Sequence, residues 1–145
     1  MRKRSAGVLM YKYEAGDLLV LLVHPGGPFW KNRDEGAWSI PKGEFGEGEE
    51  PLAAARREFT EELGSVPTGE FVPLCEIRQL SGKVVTAFDV RGEFDPEKLR
   101  SLEFEIEWPP TSGRRQRSPE VDRAQWFYLA AARRNILPAQ AALRA

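Results

Sequence analysis

The chain has 145 residues, 41% of them hydrophobic, which is enough to bury a core within one domain spanning residues 1–145. Its 21 Lys and Arg residues against 22 Asp and Glu residues give a net charge of −1, which argues against a nucleic-acid polymer as partner. No apolar run approaches the roughly 20 residues of a membrane span, and a single cysteine fits a reducing compartment, so we expect a cytoplasmic protein.

The first part of the chain predicts two strands, a loop and a short extended piece. "SAGVLMYKY" and "LLVLLVH" flank the turn signal "EAGD", and the unbroken apolar run 18–23 is typical of a strand covered on both faces. The Gly- and Pro-rich "HPGGPFWKNRDEGAW" predicts a loop, and "WSIP" predicts an extended piece. His24 is more consistent with a strand-end residue than with a metal ligand, because no second His or Cys lies at ligand spacing.

Residues 51–63 predict a helix with one apolar face. Pro51 suits its first turn and Gly64 suits its end. At about 100° per residue, the apolar stripe that faces the core consists of Leu52, Ala55, Phe59 and Leu63. Three carboxylates share an arc of about 100° beside that stripe, namely Glu58, Glu61 and Glu62. Ala54 leaves space beside the carboxylates, and Arg57 can reach Glu61 at i+4.

The clustered carboxylates allow two interpretations. One is a charged surface helix, since glutamates favour solvent. The other is a site for a hard cation such as Mg²⁺, which prefers carboxylate oxygens together with water and phosphate oxygens. The preceding "SIPKGEFGEG" supplies a lysine and three glycines, a composition that lets phosphate oxygens approach the backbone. The helix geometry alone weighs the two interpretations about equally.

The second part of the chain predicts further strands and a C-terminal helix. "EFVPLCEIRQL" and "KVVTAFDVRGEF" are typical of strands around the turn "SGK", with Cys75 as a packing residue rather than a nucleophile. "SLEFEIEW" alternates, which predicts a half-buried strand with Glu103, Glu105 and Glu107 in solvent. A loop "PPTSGRRQRSPEVDRA" then leads to a strand at "QWFYL" and a helical tail. Strands around a central helix indicate an α+β or α/β sandwich, and we favour α+β.

Residues 43–65 resemble the Nudix box, G-x5-E-x7-R-E-U-x-E-E-x-G-U, in which U is a bulky apolar residue. Gly43 is followed after five residues by Glu49, and seven more residues lead to "REFTEELG" at 57–64. Ser65 is the one departure, because the family prefers an aliphatic residue there. The resemblance implies an α/β/α sandwich with a mixed sheet, and a hydrolase of nucleoside diphosphates linked to another moiety.

The resemblance also implies roles within the box. The implied ligands of Mg²⁺ or Mn²⁺ are Glu58, Glu61, Glu62 and the backbone carbonyl of Lys42. Glu61 is also expected to orient the water that attacks one phosphorus, which is ordinary metal-assisted phosphoryl chemistry. Arg57 is expected to hold a box glutamate in place, and Glu49 is expected to brace the loop.

Glu120 is our candidate for an additional catalytic carboxylate outside the box. Some members of the family use such a glutamate as metal ligand or general base, and Glu120 lies in a predicted loop just ahead of a strand, from which it could swing over the site. An ordinary surface glutamate at a turn is an equally good interpretation.

Three side chains are candidates for binding substrate. Lys42 is expected to contact phosphate, because it lies directly beside the box. Arg115, between Arg114 and Arg117, is a candidate clamp for distal phosphates, with a solvated loop as the alternative. Trp30 is a candidate for stacking a base, with packing of its loop onto the domain as the alternative.

The context "GAWSIPKGEFGEGEE" resembles the MutT-like branch that includes diadenosine polyphosphate hydrolases and nucleoside triphosphate pyrophosphohydrolases. Dinucleoside polyphosphates or (d)NTPs are therefore the lead substrates, with ADP-ribose and other sugar nucleotides as the alternative. A non-catalytic nucleotide-sensing module would be expected to lose box carboxylates, and none is missing here. The sequence leaves a monomer and a homodimer open.

Overall fold

Eight strands and two α-helices are present in the computed structural model, which describes residues 3–78 and 82–135. The strands are β1 Arg4–Glu14, β2 Asp17–Pro25, β3 Lys42–Glu44, β4 Val72–Arg78, β5 Val84–Arg91, β6 Glu103–Glu107, β7 Arg115–Pro119 and β8 Val121–Tyr128. The helices are α1 Pro51–Leu63 and α2 Leu129–Asn135, and a short 3₁₀ helix covers Pro96–Lys98.

The central sheet is mixed. Its strand order is β4-β5-β1-β2-β8, and β3 also pairs with β1. β1 and β5 run parallel, whereas the other neighbouring strands run antiparallel. β6 and β7 form a separate two-stranded sheet, which we call the ribbon.

Each face of the central sheet is covered by one helix. On one face, Phe59 and Leu63 of α1 belong to the same buried core as Val8 of β1. On the other face, Ala132 of α2 belongs to a second core with Leu9. Neighbouring residues of a strand point to opposite faces, so β1 contributes to both cores. The predicted α+β class, the α/β/α sandwich and the buried stripe of α1 are therefore confirmed.

The segment 39–44 is wedged into the sheet between β1 and β2. β1 pairs with β2 over residues 11–14, whereas its residues 5–7 pair with β3. On the other side of the wedge, Ser39 forms a bridge to Val23 of β2. The backbone that leads into the Nudix box is therefore held by hydrogen bonds on both sides, directly beside α1.

α1 begins and ends where the sequence predicts. Pro51 occupies the first turn, where its missing N–H leaves no intrahelical bond unmade, and Gly64 ends the helix with a φ of 77°. Beyond the helix, the Leu102 N–H donates to the Glu61 carbonyl at 3.0 Å. This bond satisfies a free carbonyl of the last turn and ties the end of α1 to the residues before the ribbon.

The predicted loop at 109–124 is confirmed for residues 109–114 and wrong for residues 115–119 and 121–124. Residues 115–119 form β7, which pairs with β6, and β8 begins at Val121. The segment "RQRSP" shows no alternation of apolar and polar residues. Its strand conformation therefore depends on pairing with β6 rather than on a strand pattern in its own sequence. Cys75 also differs from its expected role, because it is exposed on the edge strand β4 instead of packed in the core.

Parts of two predictions lie outside the described residues. They are the continuation of the helical tail at 136–145 and the region 79–81 between β4 and β5. Within the described part of the chain, no helix is long and apolar enough to span a membrane.

Candidate active site

Two glutamates of α1 are buried one turn apart. Glu58 is 9% exposed and Glu62 is 8% exposed, and Ala54 in the preceding turn of the same face is fully buried. Gly43 of β3 faces this row, and a Cβ at position 43 would overlap the Glu58 carboxylate. The missing side chain of Gly43 therefore lets a carboxylate occupy space that an alanine would fill.

Arg57 binds the carboxylates on the outer side of the row. Its guanidinium donates to Glu49 through two hydrogen bonds of 2.9 and 3.0 Å, to Glu61 at 2.9 Å and to Glu58 at 3.2 Å. The hydrogen bond from Arg57 lowers the pKa of Glu49, and the same contact raises the pKa of the guanidinium. These are the contacts expected of a residue that orients box glutamates, and the catalytic role of Arg57 stays a prediction.

Burial and like charge raise the pKa values of the inner carboxyls. Burial is the largest cause for Glu62, whose pKa rises to about 9, and the charges of Glu58 and Glu120 add to it. Burial, followed by the charge of Glu61, also raises the pKa of both Glu58 and Glu120. We call Glu58, Glu61, Glu62 and Glu120 the carboxylate cluster, because the charges of Glu58, Glu61 and Glu120 each raise the pKa of another member.

Glu120 joins the cluster through a ladder of backbone hydrogen bonds. The Leu102 N–H donates to the Glu61 carbonyl, and the Leu102 carbonyl accepts from the Glu120 N–H at 2.8 Å. The Glu120 carbonyl in turn accepts from the Gly26 N–H at 2.9 Å. A Cβ at Gly26 would overlap the Pro119 carbonyl, so this approach requires glycine. Glu120 lies directly ahead of β8, as expected, but at a one-residue junction with β7 rather than in a long loop, and its movement over the site stays a prediction.

An apolar cleft of about 190 Å³ opens beside the cluster. The predicted site residues in its lining are Trp30, Lys42, Glu62 and Glu120. Its apolar lining comes from Val23, Pro25, Ala37, Ile40 and Val121. Large apolar walls beside a few converging polar groups are typical of small-molecule sites.

Lys42 contacts the cluster through its backbone. Its N–H hydrogen bonds to the Glu62 carboxylate. Its side chain leaves β3 on the opposite face, where a Cβ added at Gly7 would lie 2.8 Å from the Lys42 Cβ. Burial and the neighbouring Lys83 charge lower the pKa of Lys42, whereas the charge of Glu62 raises it. Phosphate contact by the ammonium and metal binding by the carbonyl of Lys42 stay predictions.

The other two predicted substrate residues lie in different surroundings. Trp30 lines the cleft and packs edge to face on Phe29, with ring centroids 5.0 Å apart. Arg115 lies on β7 rather than in a loop, and its Nε is 3.4 Å from a Glu105 carboxylate oxygen. Arg115 is not among the described residues that line the cleft.

The oxygen donors of the cluster fit a hard divalent cation better than a soft one. In residues 3–78 and 82–135, no group of three or more His, Cys, Asp or Glu side chains is arranged to hold a metal ion. Arg57 donates to both Glu58 and Glu61, so a cation that takes these two ligands competes with the guanidinium for them.

A larger groove of about 1050 Å³ lies beside the 3₁₀ helix. Its lining carries both signs of charge but none of the carboxylate cluster, and Lys12 lies 4.4 Å above the Trp126 ring within it. Volume alone therefore does not identify the site. We place the site at the smaller cleft, because carboxyls with raised pKa values meet apolar walls there.

The match to a known family decides the classification. The family model described as NUDIX domain matches residues 1–144. The chain belongs to the Nudix family. A curated relative, the RNA pyrophosphohydrolase of Bartonella henselae, is 36% identical over 66 residues, a match that covers 43% of this Nudix chain and 35% of the relative. The match thus spans about a third of that relative's length, and the predicted family is confirmed.

Solved Nudix structures share the fold. The NUDIX domain of Shewanella oneidensis NrtR, complexed with ADP ribose, has a TM-score of 0.60 at 19% identity, over 94% of this chain and 79% of that chain. An Ap4A hydrolase of C. elegans has a TM-score of 0.56 at 22% identity, over 90% and 82% of the two chains. At these identities the likeness shows the fold, and the site rests on the geometry described above.

Sequence analysis missed Gly26 and Asp122. Gly26 permits the close approach of the Glu120 backbone, and Asp122 forms a hydrogen bond of 2.8 Å with Nδ1 of the buried His24. The Gly-Gly pair after Pro25 was the available signal for a tight backbone approach. Nothing in the residue pattern around Asp122 indicates its partner, because the two residues are 98 positions apart.

Proposed function

We propose that this Nudix chain is a hydrolase that uses Mg²⁺ or Mn²⁺ to cleave a pyrophosphate linkage in a nucleoside diphosphate derivative. The observation that carries the proposal is the burial of Glu58 and Glu62 one turn apart on α1, next to an apolar cleft whose lining includes Glu62 and Glu120. Burying neighbouring carboxyls is unfavourable even with the hydrogen bond from Arg57 to Glu58, and a bound cation would offset that cost.

Each group of the cluster has a role in this proposal. The ligands of the cation would be Glu58, Glu61, Glu62 and the Lys42 carbonyl. The cation would neutralise charge on the phosphate oxygens and make water more acidic. Arg57 keeps the Glu61 carboxylate oriented through its 2.9 Å hydrogen bond. Glu61 orients the water and takes its proton, and Glu120, whose pKa responds to Glu61, is the alternative base.

Dinucleoside polyphosphates or (d)NTPs are the lead substrates. Trp30 and the apolar wall of the cleft suit a planar base, and Glu62 and Glu120 of the carboxylate cluster line the same cleft, where the phosphates would follow. The relatives support nucleotides as a class, since one is an Ap4A hydrolase and another an RNA pyrophosphohydrolase. ADP-ribose is the second candidate, because the similar NrtR NUDIX domain was crystallised with it.

A nucleotide panel tests the proposal. Diadenosine tetraphosphate, each dNTP, ADP-ribose and a 5′-triphosphorylated oligonucleotide are incubated with Mg²⁺ or Mn²⁺ in ¹⁸O-labelled water, and mass spectrometry locates the cleaved bond. We expect hydrolysis of a dinucleoside polyphosphate or a (d)NTP, its loss with excess chelator and its return with metal. Undiminished turnover in chelator would reject the metal-dependent mechanism.

A sensing module is the competing class for this fold. It would bind a nucleotide without cleaving it, so the panel would show a ligand-dependent rise in melting temperature but no product. All the proposed site residues come from one chain, so a monomer and a homodimer are both compatible with the proposal.

A further inference from the structure

His24 is fully buried and has two hydrogen-bonding partners on different parts of the chain. Its Nε2 lies 2.5 Å from the Arg33 carbonyl, and its Nδ1 lies 2.8 Å from a carboxylate oxygen of Asp122. A carbonyl only accepts, so Nε2 carries a proton and donates it to Arg33. The proton of the second hydrogen bond lies either on Nδ1, with the Asp122 carboxylate as acceptor, or on the Asp122 carboxyl, with Nδ1 as acceptor. The ring itself packs edge to face on Trp38 at 5.2 Å and is 0% exposed.

The bond to Arg33 fixes the loop that carries Trp30. The Arg33 N–H donates to the Trp30 carbonyl at 3.0 Å, which closes a turn. The Arg33 side chain donates from Nε to the Phe29 carbonyl at 3.2 Å and lies over the Phe29 ring at 4.5 Å. His24 therefore holds the backbone from which Trp30 enters the cleft.

The bond to Asp122 fixes the strand that follows Glu120. His24 pairs with Arg123 and Pro25 pairs with Val121, so Asp122 is an extra residue on β8 with no partner of its own in the register. Such a bulge turns the strand and redirects neighbouring side chains. Asp122 is also 3.8 Å from the Arg123 Nε, but its shorter contact is with His24. His24 therefore holds the bulge two residues beyond Glu120.

We propose that His24 is a positioning residue that sets the distance between the two walls of the cleft, Trp30 on one side and Glu120 on the other. Its Nε2 acts on nucleotide binding through Arg33, and its Nδ1 acts on the chemical step through Asp122. This inference rests on the proposed function for the kinetic consequence, whereas its structural part stands without it.

Two substitutions separate the two hydrogen bonds. His24→Asn keeps an amide donor near the position of Nδ1 and loses the bond to Arg33. His24→Gln keeps a donor near the position of Nε2 and loses the bond to Asp122. Val20→Ala is the matched control, because Val20 is equally buried on the same strand and lines no part of the cleft.

The expected kinetics differ between the variants. His24→Asn should raise KM for the nucleotide about 5- to 10-fold and change kcat less than about twofold. His24→Gln should lower kcat by about tenfold or more with little change in KM. Val20→Ala should lower the melting temperature without such a split. If both His24 variants change kcat and KM as Val20→Ala does, His24 is only a packing residue.

Amide hydrogen exchange supplies a readout that needs no activity. In the metal-free protein, His24→Asn should speed exchange in residues 28–36 and leave residues 117–124 unchanged, and His24→Gln should do the reverse. Equal effects on both segments would overturn the inference. A wild-type protein that hydrolyses no nucleotide would reject the proposed function, while the exchange pattern would still decide whether His24 positions the two walls.

Discussion

The glutamates of α1 and those of the ribbon lie in different surroundings. On α1, Glu58 and Glu62 are 9% and 8% exposed. On the ribbon, the side chains of Glu103 and Glu105 are 52% and 50% exposed and pair across the strands with arginines at 3.2 and 3.4 Å. The same residue type is thus buried beside like charges in one region and neutralised in solvent in the other. Only the first arrangement needs a ligand to explain it.

The energetics explain why the difference is informative. An exposed ion pair contributes roughly 0–1 kcal/mol, so the ribbon gains little and loses little from its charges. A buried carboxylate is costly unless it is protonated or paired. The raised pKa of Glu62 reflects the cost of burying its charged form. Functional sites often retain groups that lower the stability of the fold, as the buried glutamates of α1 do. The ribbon charges change stability little and therefore give no such indication.

The largest expected effect comes from a catalytic carboxylate and its surface counterpart. Glu61→Gln should lower kcat by about 10²- to 10⁴-fold, because the water loses its orienting base. Glu105→Gln removes the same charge from the ribbon and should leave kcat within about twofold. Steady-state kinetics at saturating Mg²⁺ check both. Equal activity of the two variants would remove the distinction between the regions and would transfer the base role to Glu120.

A glycine pair tests the burial itself. Gly43→Ala puts a methyl group into the Glu58 carboxylate and should lower activity about 10- to 100-fold by displacing a ligand. Gly46 lies just after β3, where a Cβ would meet nothing within 4 Å, so Gly46→Ala should leave activity unchanged. Titration of the Mg²⁺ dependence shows whether the loss is one of metal affinity. A Gly43→Ala enzyme with normal metal dependence would mean that Glu58 does not need its buried position.

The pH dependence of stability tests the cost of the cluster. The pKa of Glu62 rises from 4.5 to about 9 in the metal-free protein. The folded state then binds a proton that the unfolded chain releases, so the free energy of unfolding falls as the pH rises through that window. Glu62→Gln should flatten this fall and be at least as stable as wild type at pH 8.

Thermal melts of the two proteins in chelator at pH 5, 7 and 9 measure that difference. The same melts with saturating Mg²⁺ or Mn²⁺ should show a smaller gain in melting temperature for Glu62→Gln, because a ligand stabilises in proportion to its affinity for the folded state. An identical pH slope in both proteins, with an identical metal response, would show that Glu62 is neither strained nor a ligand.

The sequence predicts the α1 region well because its signals are local. The spacing from Gly43 to Gly64, the 3.6-residue periodicity and the terminating glycine all lie within one segment, so helix, buried stripe and carboxylate arc follow from it. The space that the Glu58 carboxylate occupies depends on Gly43 of β3, and a helical wheel does not contain this information.

The ribbon and Glu120 could not be predicted in the same way because their positions depend on distant pairing. β7 has no apolar alternation, and its strand conformation follows from alignment with the glutamates of β6. The position of Glu120 follows from backbone bonds to Leu102 and Gly26, which are far from it in the chain. Pairing of this kind is a property of the assembled fold, so the sequence pattern predicts a loop over 109–124 although residues 115–119 and 121–124 are strands.

The smallest expected effect is that of Arg115→Ala on the ribbon. The side chain is 70% exposed, and its pair with Glu105 should contribute less than about 1 kcal/mol. Denaturant melts of Arg115→Ala, Glu105→Ala and the double variant would measure the coupling between the two residues. Because Arg115 is not among the described residues that line the cleft, we expect unchanged kcat and KM for a dNTP. The sequence-based interpretation of Arg115 as a phosphate clamp forecasts a raised KM, and most of all for a dinucleoside polyphosphate, whose additional phosphates extend further from the cluster. A KM that rises only for the longer substrate would mean that the ribbon contacts the distal phosphates. The two glutamate regions would then be parts of one binding surface, with the paired region contributing through its arginines rather than its carboxylates.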